Sequence, residues 1–270
     1  MNQQPPLSHS IDVTRPNVAR MYNYYLGGKD NYPADRRVCE RLLARAPSAR
    51  ILAVNNRRFL ERVIRCLSIE HGIRQFLDIG AGLPTWDNVH EIAQRHAPDA
   101  RVVYVDNDPM VIAYGRALLE DNDRTAVVQA DLRDPDTVFG NSRITDLLDL
   151  KQPVAALYVS VLHCIPDEDQ PAGLVHSAAE RLCTGSFLAV SQLVSEDAAV
   201  RRTLTGLMRE STSGHWGAVR HPRHVDTFFA GLGVLEPGLT DVSAWRTDPR
   251  FGPQAQTREW TEYGGVGRVC

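Results

Sequence analysis

The chain of 270 residues is 43% hydrophobic and 23% charged, with a formal net charge of −3. That length admits one large α/β domain with additions, or two small domains, and the balance leaves no basic footprint for a nucleic acid. No apolar run is long enough to span a bilayer, the polar start MNQQPPLSHSIDVTRP has no apolar signal core, and the five cysteines form no C-x-x-C pair that would mark a disulfide framework or a metal knuckle. The expectation is a cytoplasmic protein without metal or membrane attachment.

In chain order, residues 1–14 read as a flexible arm. Thr14 to Leu26 reads as a helix carrying Tyr22, Tyr24 and Tyr25, stopped by Gly27-Gly28. Asp30 to Tyr32 is a turn, and Pro33 to Ala46 a second helix with proline at its first position. Ser48 to Glu70 is a long amphipathic helix, its apolar residues Ile51, Val54, Phe59, Val63, Ile64 and Leu67 near 3.6 spacing. β runs follow at 74–79, 102–106, 126–129, 154–160 and 186–193. Between them lie helical patterns at 85–97, 109–120, 135–139 and 168–182. That alternation predicts a parallel sheet covered on both faces. Further helices are expected at 195–210 and 222–230, and a closing strand pair at 234–236 and 260–269. The segment with Trp245, Asp248 and Pro249 reads as a surface loop. The domain reading is an arm and helical lid over 1–72 and a single α/β domain over 73–270.

The organising stretch is FLDIGAGLPTWDN, residues 76–88. A buried strand runs into Asp78, and Gly80 and Gly82 make a tight turn where backbone can approach a ligand. Asp106 ends the next strand, where a carboxylate can accept from both hydroxyls of a ribose. A dinucleotide fingerprint would place a third glycine at Thr85, and no G-x-x-x-x-G-K-[ST] phosphate loop is present. A nucleoside cofactor without phosphate fits, and S-adenosyl-L-methionine is such a molecule. Asp131, just past the third strand, is placed to accept from an adenine amino group while the Leu132 backbone meets the ring edge. Ser160 and His163 fall at the C-terminal edge of the sheet, where doubly wound folds bind ligands.

The order of these segments resembles class I S-adenosylmethionine-dependent methyltransferases. PNVARMYNYYLGGKDNYPADR, FLDIGAGLPTWDN and the terminal YGGVGRV together are similar to one actinobacterial family of S-adenosyl methyltransferases, over nearly the whole chain. The resemblance implies a Rossmann-like, seven-stranded sheet with its last strand antiparallel, and bound S-adenosylmethionine. It brings no acceptor, and Leu83-Pro84-Thr85 departs from the further glycine of many class I members.

Candidate cofactor contacts at the glycine turn and second strand are Asp78, Gly80, Ala81, Gly82, Asp106 and Asn107. Beyond them stand Asp131, Leu132, Ser160 and, from the N-terminal turn, Lys29. Tyr22, Tyr25, Asp30 and His163 are candidates for an acceptor pocket, with His163 the candidate general base because its ordinary pKa lies near 6.5. A side chain at Gly80 is expected to take the cofactor's space. The helical prelude is expected to fold across the sheet edge as a lid. The reading is methyl transfer to a small molecule by in-line displacement. Its rivals are a binding protein without turnover and an NAD-dependent oxidoreductase. The oligomeric state, monomer or homodimer, stays open.

Overall fold

A computed structural model describes residues 11–214, 216–247, 257 and 259–270. Asp248 and Pro249, and most of the N-terminal arm, lie outside the described residues. Three helices come first: α1 (Val18–Tyr25), α2 (Pro33–Leu43) and α3 (Ala49–Ile69). The sheet then builds from β1 (Gln75–Ile79), β2 (Arg101–Asp106), β3 (Thr125–Gln129), β4 (Ala155–Val159) and β5 (Phe187–Val194). Between these strands lie α4 (Val89–His96), α5 (Pro109–Leu118), α6 (Pro135–Phe139), α7 (Ser142–Thr145) and α8 (Pro171–Arg181). After β5 come α9 (Ala198–Ser211), α10 (Pro222–Asp226), β6 (Gly233–Val234), β7 (Thr240–Asp241) and β8 (Thr261–Arg268).

The strand order is β3-β2-β1-β4-β5-β8-β6, with β7 also on β8. β1 to β5 are parallel, and β8 is antiparallel to β5, β6 and β7. The last strand of the chain therefore slots inside the sheet. Two short strands beyond it make eight where seven were expected. β1 is buried at every position, which is why it reads as a continuous apolar run rather than an alternating one. One face packs on α6, α7 and α8 through Phe139, Ile144 and Val175. The other packs on α3, α4 and α5 through Ile64, Ile92 and Ile112. Two-sided cover of this kind leaves only the strand ends open to a ligand.

A third apolar cluster caps the C-terminal edge of the sheet. Met21, Leu42 and Leu52 from α1, α2 and α3 meet Leu204, Leu207 and Met208 of α9, with Trp216 and Trp260. α3 belongs to both layers: Leu52 faces this cap, while Phe59 to Leu67 lie on the sheet. The cap is braced by a buried ion pair. Arg20 Nε donates to Asp35 Oδ2 at 2.9 Å, and the same carboxylate takes the Asn17 and Tyr32 backbone N–H groups.

Two expectations are corrected here. Trp245 is no surface residue: it is fully buried, edge-on to Phe59 at 5.4 Å, and Arg62 Nε holds its carbonyl at 2.7 Å. The helix expected from Thr85 begins only at Val89, because Asn88 caps it and Glu91 closes the box onto the Asn88 N–H. Residues 84–88 thus form a loop beside the glycine turn.

Candidate active site

One cavity of about 560 Å³ opens at the C-terminal ends of β1, β2 and β4, within the range of small-molecule sites. β1 delivers Asp78 and the turn Gly80–Gly82 into it, β2 delivers Asp106 and Asn107, and the end of β3 delivers Asp131 and Leu132. β4 delivers Ser160 and, one turn on, His163. The roof is α1, through Pro16, Asn17, Val18, Ala19 and Tyr22, with Asn56 and Arg57 of α3 beside it.

The glycine turn is held down by β2. Gly80 and Ala81 both donate their N–H groups to the Val105 carbonyl, at 2.8 and 3.1 Å. Gly82 donates to Asp106 Oδ2 at 2.9 Å, and the Asp108 N–H to Asp106 Oδ1 at 2.9 Å. Gly80 and Gly82 have φ of 77° and 68°, in the left-handed region that suits glycine. A Cβ on Gly80 would strike Val161 Cγ2 at 2.2 Å, whereas one on Gly82 would meet nothing within 4 Å. The sequence expectation for Gly80 is therefore corrected: a side chain there collides with the protein, and the open position is Gly82. Every N–H of this turn is already used, so none remains to cradle a pyrophosphate, which a dinucleotide requires.

Two carboxylates face the cavity under strain of burial. Burial pushes Asp78 up to about 7, against the pull of the Arg57 charge, and pushes Asp106 up to about 6, against its backbone N–H partners. Each is a carboxyl that a polar or cationic ligand would help to ionise. Asp131 differs. Arg133 grips it at 2.6 Å and holds its carboxyl below the usual range, with Asn107 Nδ2 at 3.4 Å. Leu132 packs against the sheet core beside it.

His163 is buried and lies against Trp216, ring centres 4.6 Å apart. Burial drives its pKa down to about 3, helped by the Arg220 charge, and its Nδ1 has no partner. Burial favours its neutral form and weakens it as a proton acceptor, which counts against the expected role of general base. Ser160 holds φ 60° and gives its hydroxyl to Glu262 Oε1 at 2.5 Å.

The N-terminal turn stands elsewhere. Lys29 is exposed, and neither it nor Asp30 lines the cavity. The turn is held by Asn31, whose amide donates to Asn23 Oδ1 and the Gly28 carbonyl at 3.0 and 2.9 Å. Gly28 is required because a Cβ would overlap the Asn23 side chain at 2.4 Å. The double glycine thus serves the cap's own packing. Tyr25 packs in the cap cluster, also away from the cavity. Tyr22 does reach it, donating its hydroxyl to the Ala53 carbonyl at 3.1 Å and accepting from Asn56 Nδ2 at 3.0 Å. Arg57, Asn17 and Thr212 were missed by sequence reasoning. Arg57 was legible only as one polar position on an amphipathic helix, and Thr212 sits past a helix of no marked motif.

A doubly wound sheet with an antiparallel strand beside β5, a used-up glycine turn and an acid at the end of β2 define a nucleoside-cofactor enzyme of the methyltransferase class. The chain belongs to the S-adenosyl methyltransferase family, whose model matches residues 4–270. It is an S-adenosylmethionine-dependent methyltransferase, and S-adenosylmethionine is its cofactor. Similar solved structures include a protein of Thermobifida fusca described as a candidate methyltransferase, 37% identical, with 96% of each chain covered and a TM-score of 0.89. A duf574 family protein of Streptomyces avermitilis is 38% identical, covering 97% of this chain and 100% of that one, also at 0.89. An O-methyltransferase family protein of Burkholderia thailandensis, 16% identical with a TM-score of 0.50 over 80% of this chain and 58% of that one, shares the fold. No curated protein matches the chain.

Proposed function

We propose that the chain methylates a small, uncharged acceptor held in the same cavity as the cofactor. The observation that carries this reading is the continuity of that cavity. Asp106 and Asp131, at the ends of β2 and β3, line it together with His163 and Cys164, just past β4, and with Thr212. The two titratable side chains just past β4 carry no charge of their own. His163 is neutral, and burial keeps the Cys164 thiol protonated, up to about 12. An acceptor that fits there is itself neutral, since a buried charge without a partner is costly.

The donor set fits the cofactor residue by residue. Asp106 accepts from the ribose hydroxyls, Asp131 from the adenine amino group, and the Leu132 backbone borders the ring. Asp78 takes the ammonium of the methionyl end, and Arg57 its carboxylate. When bound, S-adenosylmethionine supplies a methyl group already activated on a sulfonium sulfur. The protein's work is to align the acceptor behind that carbon and to keep water out. The α1 roof, with Val18, Ala19 and Tyr22, provides the exclusion.

Calorimetry with S-adenosylhomocysteine and with 5′-methylthioadenosine tests this. Wild-type protein binds both, and NAD neither. Arg57→Ala weakens the first ligand by about tenfold or more, as expected for a lost charge-assisted bond. It leaves the second, which has no amino-acid tail, unchanged. Failure of wild-type protein to bind S-adenosylhomocysteine sinks the site assignment.

A further inference from the structure

Glu262 is a buried acid for which the cofactor contacts have no use. It sits on β8, paired with Leu193 of β5, and its carbonyl accepts the Val242 N–H at 2.9 Å. Its side chain is 2% exposed. Oε1 accepts the Ser160 hydroxyl at 2.5 Å, and Oε2 has no partner among the described residues. Ser160 is fixed in turn. Its N–H donates to the Ser191 carbonyl and hydroxyl, at 3.1 and 2.9 Å. The Ser191 hydroxyl donates to Asn56 Oδ1 at 2.6 Å, and Asn56 reaches Tyr22. Ser160, Asn56 and Tyr22 all line the cavity. The serine hydroxyl is therefore a fixed link between cavity and buried carboxyl.

The charged surroundings of Glu262 are few. Burial raises it to about 8, Asp241 of β7 adds to the rise, and the Ser160 hydroxyl opposes it. Its charge is felt at Tyr22 of α1 and at Cys164 after β4, both in the cavity wall. At this end of the cavity the Tyr22 hydroxyl and Cys164 thiol are held up to about 12 and His163 down to about 3. None of those three exchanges a proton near neutrality.

We propose that Ser160 and Glu262 together take up the proton released when a hydroxyl acceptor is methylated, Glu262 having lost its own proton to solvent because a cation bound in the cavity would favour its carboxylate. The proposal rests on the reading of this cavity as the S-adenosylmethionine site. The proton balance is simple. The acceptor's O–H proton passes to Ser160 Oγ as the Ser160 proton passes to Glu262. The acceptor oxygen's electron pair forms the new bond to carbon, and the carbon–sulfur pair leaves with the thioether. A sulfonium and a carboxylate become a neutral sulfide and a neutral acid, so the buried charges vanish together. The acceptor class is thus an alcohol or phenol. Ser160 touches it, and Glu262 acts through Ser160 as a positioning residue.

The test compares two ligands that differ by one methyl group and one positive charge. The affinities of S-adenosylmethionine and S-adenosylhomocysteine are measured by calorimetry from pH 6 to pH 8.5. Asp78 and Asp106 titrate in this range too and also feel the sulfonium charge, so their share is read from the rise that remains in Glu262→Gln. The cation binds best when Glu262 is ionised. The wild-type ratio of S-adenosylmethionine to S-adenosylhomocysteine affinity should therefore rise by about tenfold or more across the range. In Glu262→Gln the ratio should rise several-fold less than in the wild type. In Ser160→Gly, which accepts the same φ, the lost hydroxyl should push the rise to higher pH. A flat wild-type ratio, an equal rise in Glu262→Gln, or an unmoved rise in Ser160→Gly overturns the proposal. Wild-type protein that binds neither ligand would refute the cofactor site instead.

Discussion

Removing the Asp106 carboxylate should separate a binding role from a structural one. In the folded chain its two oxygens receive the N–H groups of Gly82 and Asp108, each at 2.9 Å. Asp106→Ala leaves both donors without that acceptor, which costs about 1–3 kcal/mol of stability where they remain buried. It also removes the acceptor for the ribose. A net charge-assisted hydrogen bond of about 1.5–3 kcal/mol converts to an affinity loss of about tenfold to about 150-fold. The assay is calorimetric titration with S-adenosylhomocysteine, beside a thermal melt of each variant. Asp197→Ala is the control. Asp197 caps α9 through Ala199 and Val200 and does not line the cavity, so its loss should lower the melt with a much smaller change in affinity. The sign of the pH dependence follows from burial, which raises Asp106 to about 6. Its contribution to the stability of the empty protein is full below the ordinary carboxylate value and is lost as pH rises through about 6. A ligand that hydrogen-bonds the ionised form binds better across that same rise. An Asp106→Ala protein that melts early but binds with wild-type affinity would show that the acid only braces the glycine turn.

The two glycines should behave differently. Gly80→Val drives a branched side chain into Val161 and should cost well over about 2 kcal/mol in folding. A Cβ at Gly82 meets no protein atom within 4 Å, so Gly82→Ala should fold, at a backbone cost of about 1–2 kcal/mol, yet lose S-adenosylhomocysteine; wild-type affinity in that variant would refute the turn's role. His163→Ala removes a ring packed on Trp216 and should cost about 2–4 kcal/mol by thermal melt, with S-adenosylhomocysteine affinity within threefold of wild type; a larger affinity loss would move His163 into cofactor contact. Hydrogen exchange should show residues 18–25 protected by S-adenosylhomocysteine along with the Gly80 turn. Protection of the turn alone would mean α1 is a static wall, and Asn17→Ala, which cuts the 2.5 Å bond to Asp108 Oδ2, should speed exchange there.

The sheet was legible because its strands are buried on both faces, so Phe76-Leu77 and Val102–Val105 stand out as apolar runs leading into Asp78 and Asp106. Proline at 109 and 135 fixed two helix starts for the same reason of backbone geometry. What stayed hidden was decided by contacts between distant segments. Trp245 looked like a loop residue because its neighbours are polar; Phe59 and Arg62, on a helix far earlier in the chain, bury it. The Gly27-Gly28 turn looked like a ligand contact because glycine pairs imply close approach. The close approach is real, but it is to Asn23. Glu262 carried no local signal at all, since a single acid on a terminal strand reads as a solvent-facing residue. Only the insertion of β8 beside β5 puts it under Ser160.

The charges around the cavity argue for which ligand it favours. Of its two arginines, Arg133 is committed to Asp131 and Asp169, and Arg57 donates to the Trp86 and Asp87 carbonyls, the latter at 2.7 Å. Asp78 and Asp106 are held above the usual carboxylate range by burial, so each gains from a partner that stabilises its charge. A dinucleotide would bring two phosphates to a turn whose N–H groups are spent, against these acids. A sulfonium and an ammonium bring two positive charges to the same place, and one carboxylate within reach of Arg57. Methyl transfer then removes one of those positive charges. The product is less well matched than the cofactor to the carboxyls that hold it, and the site is biased toward exchange after each turnover.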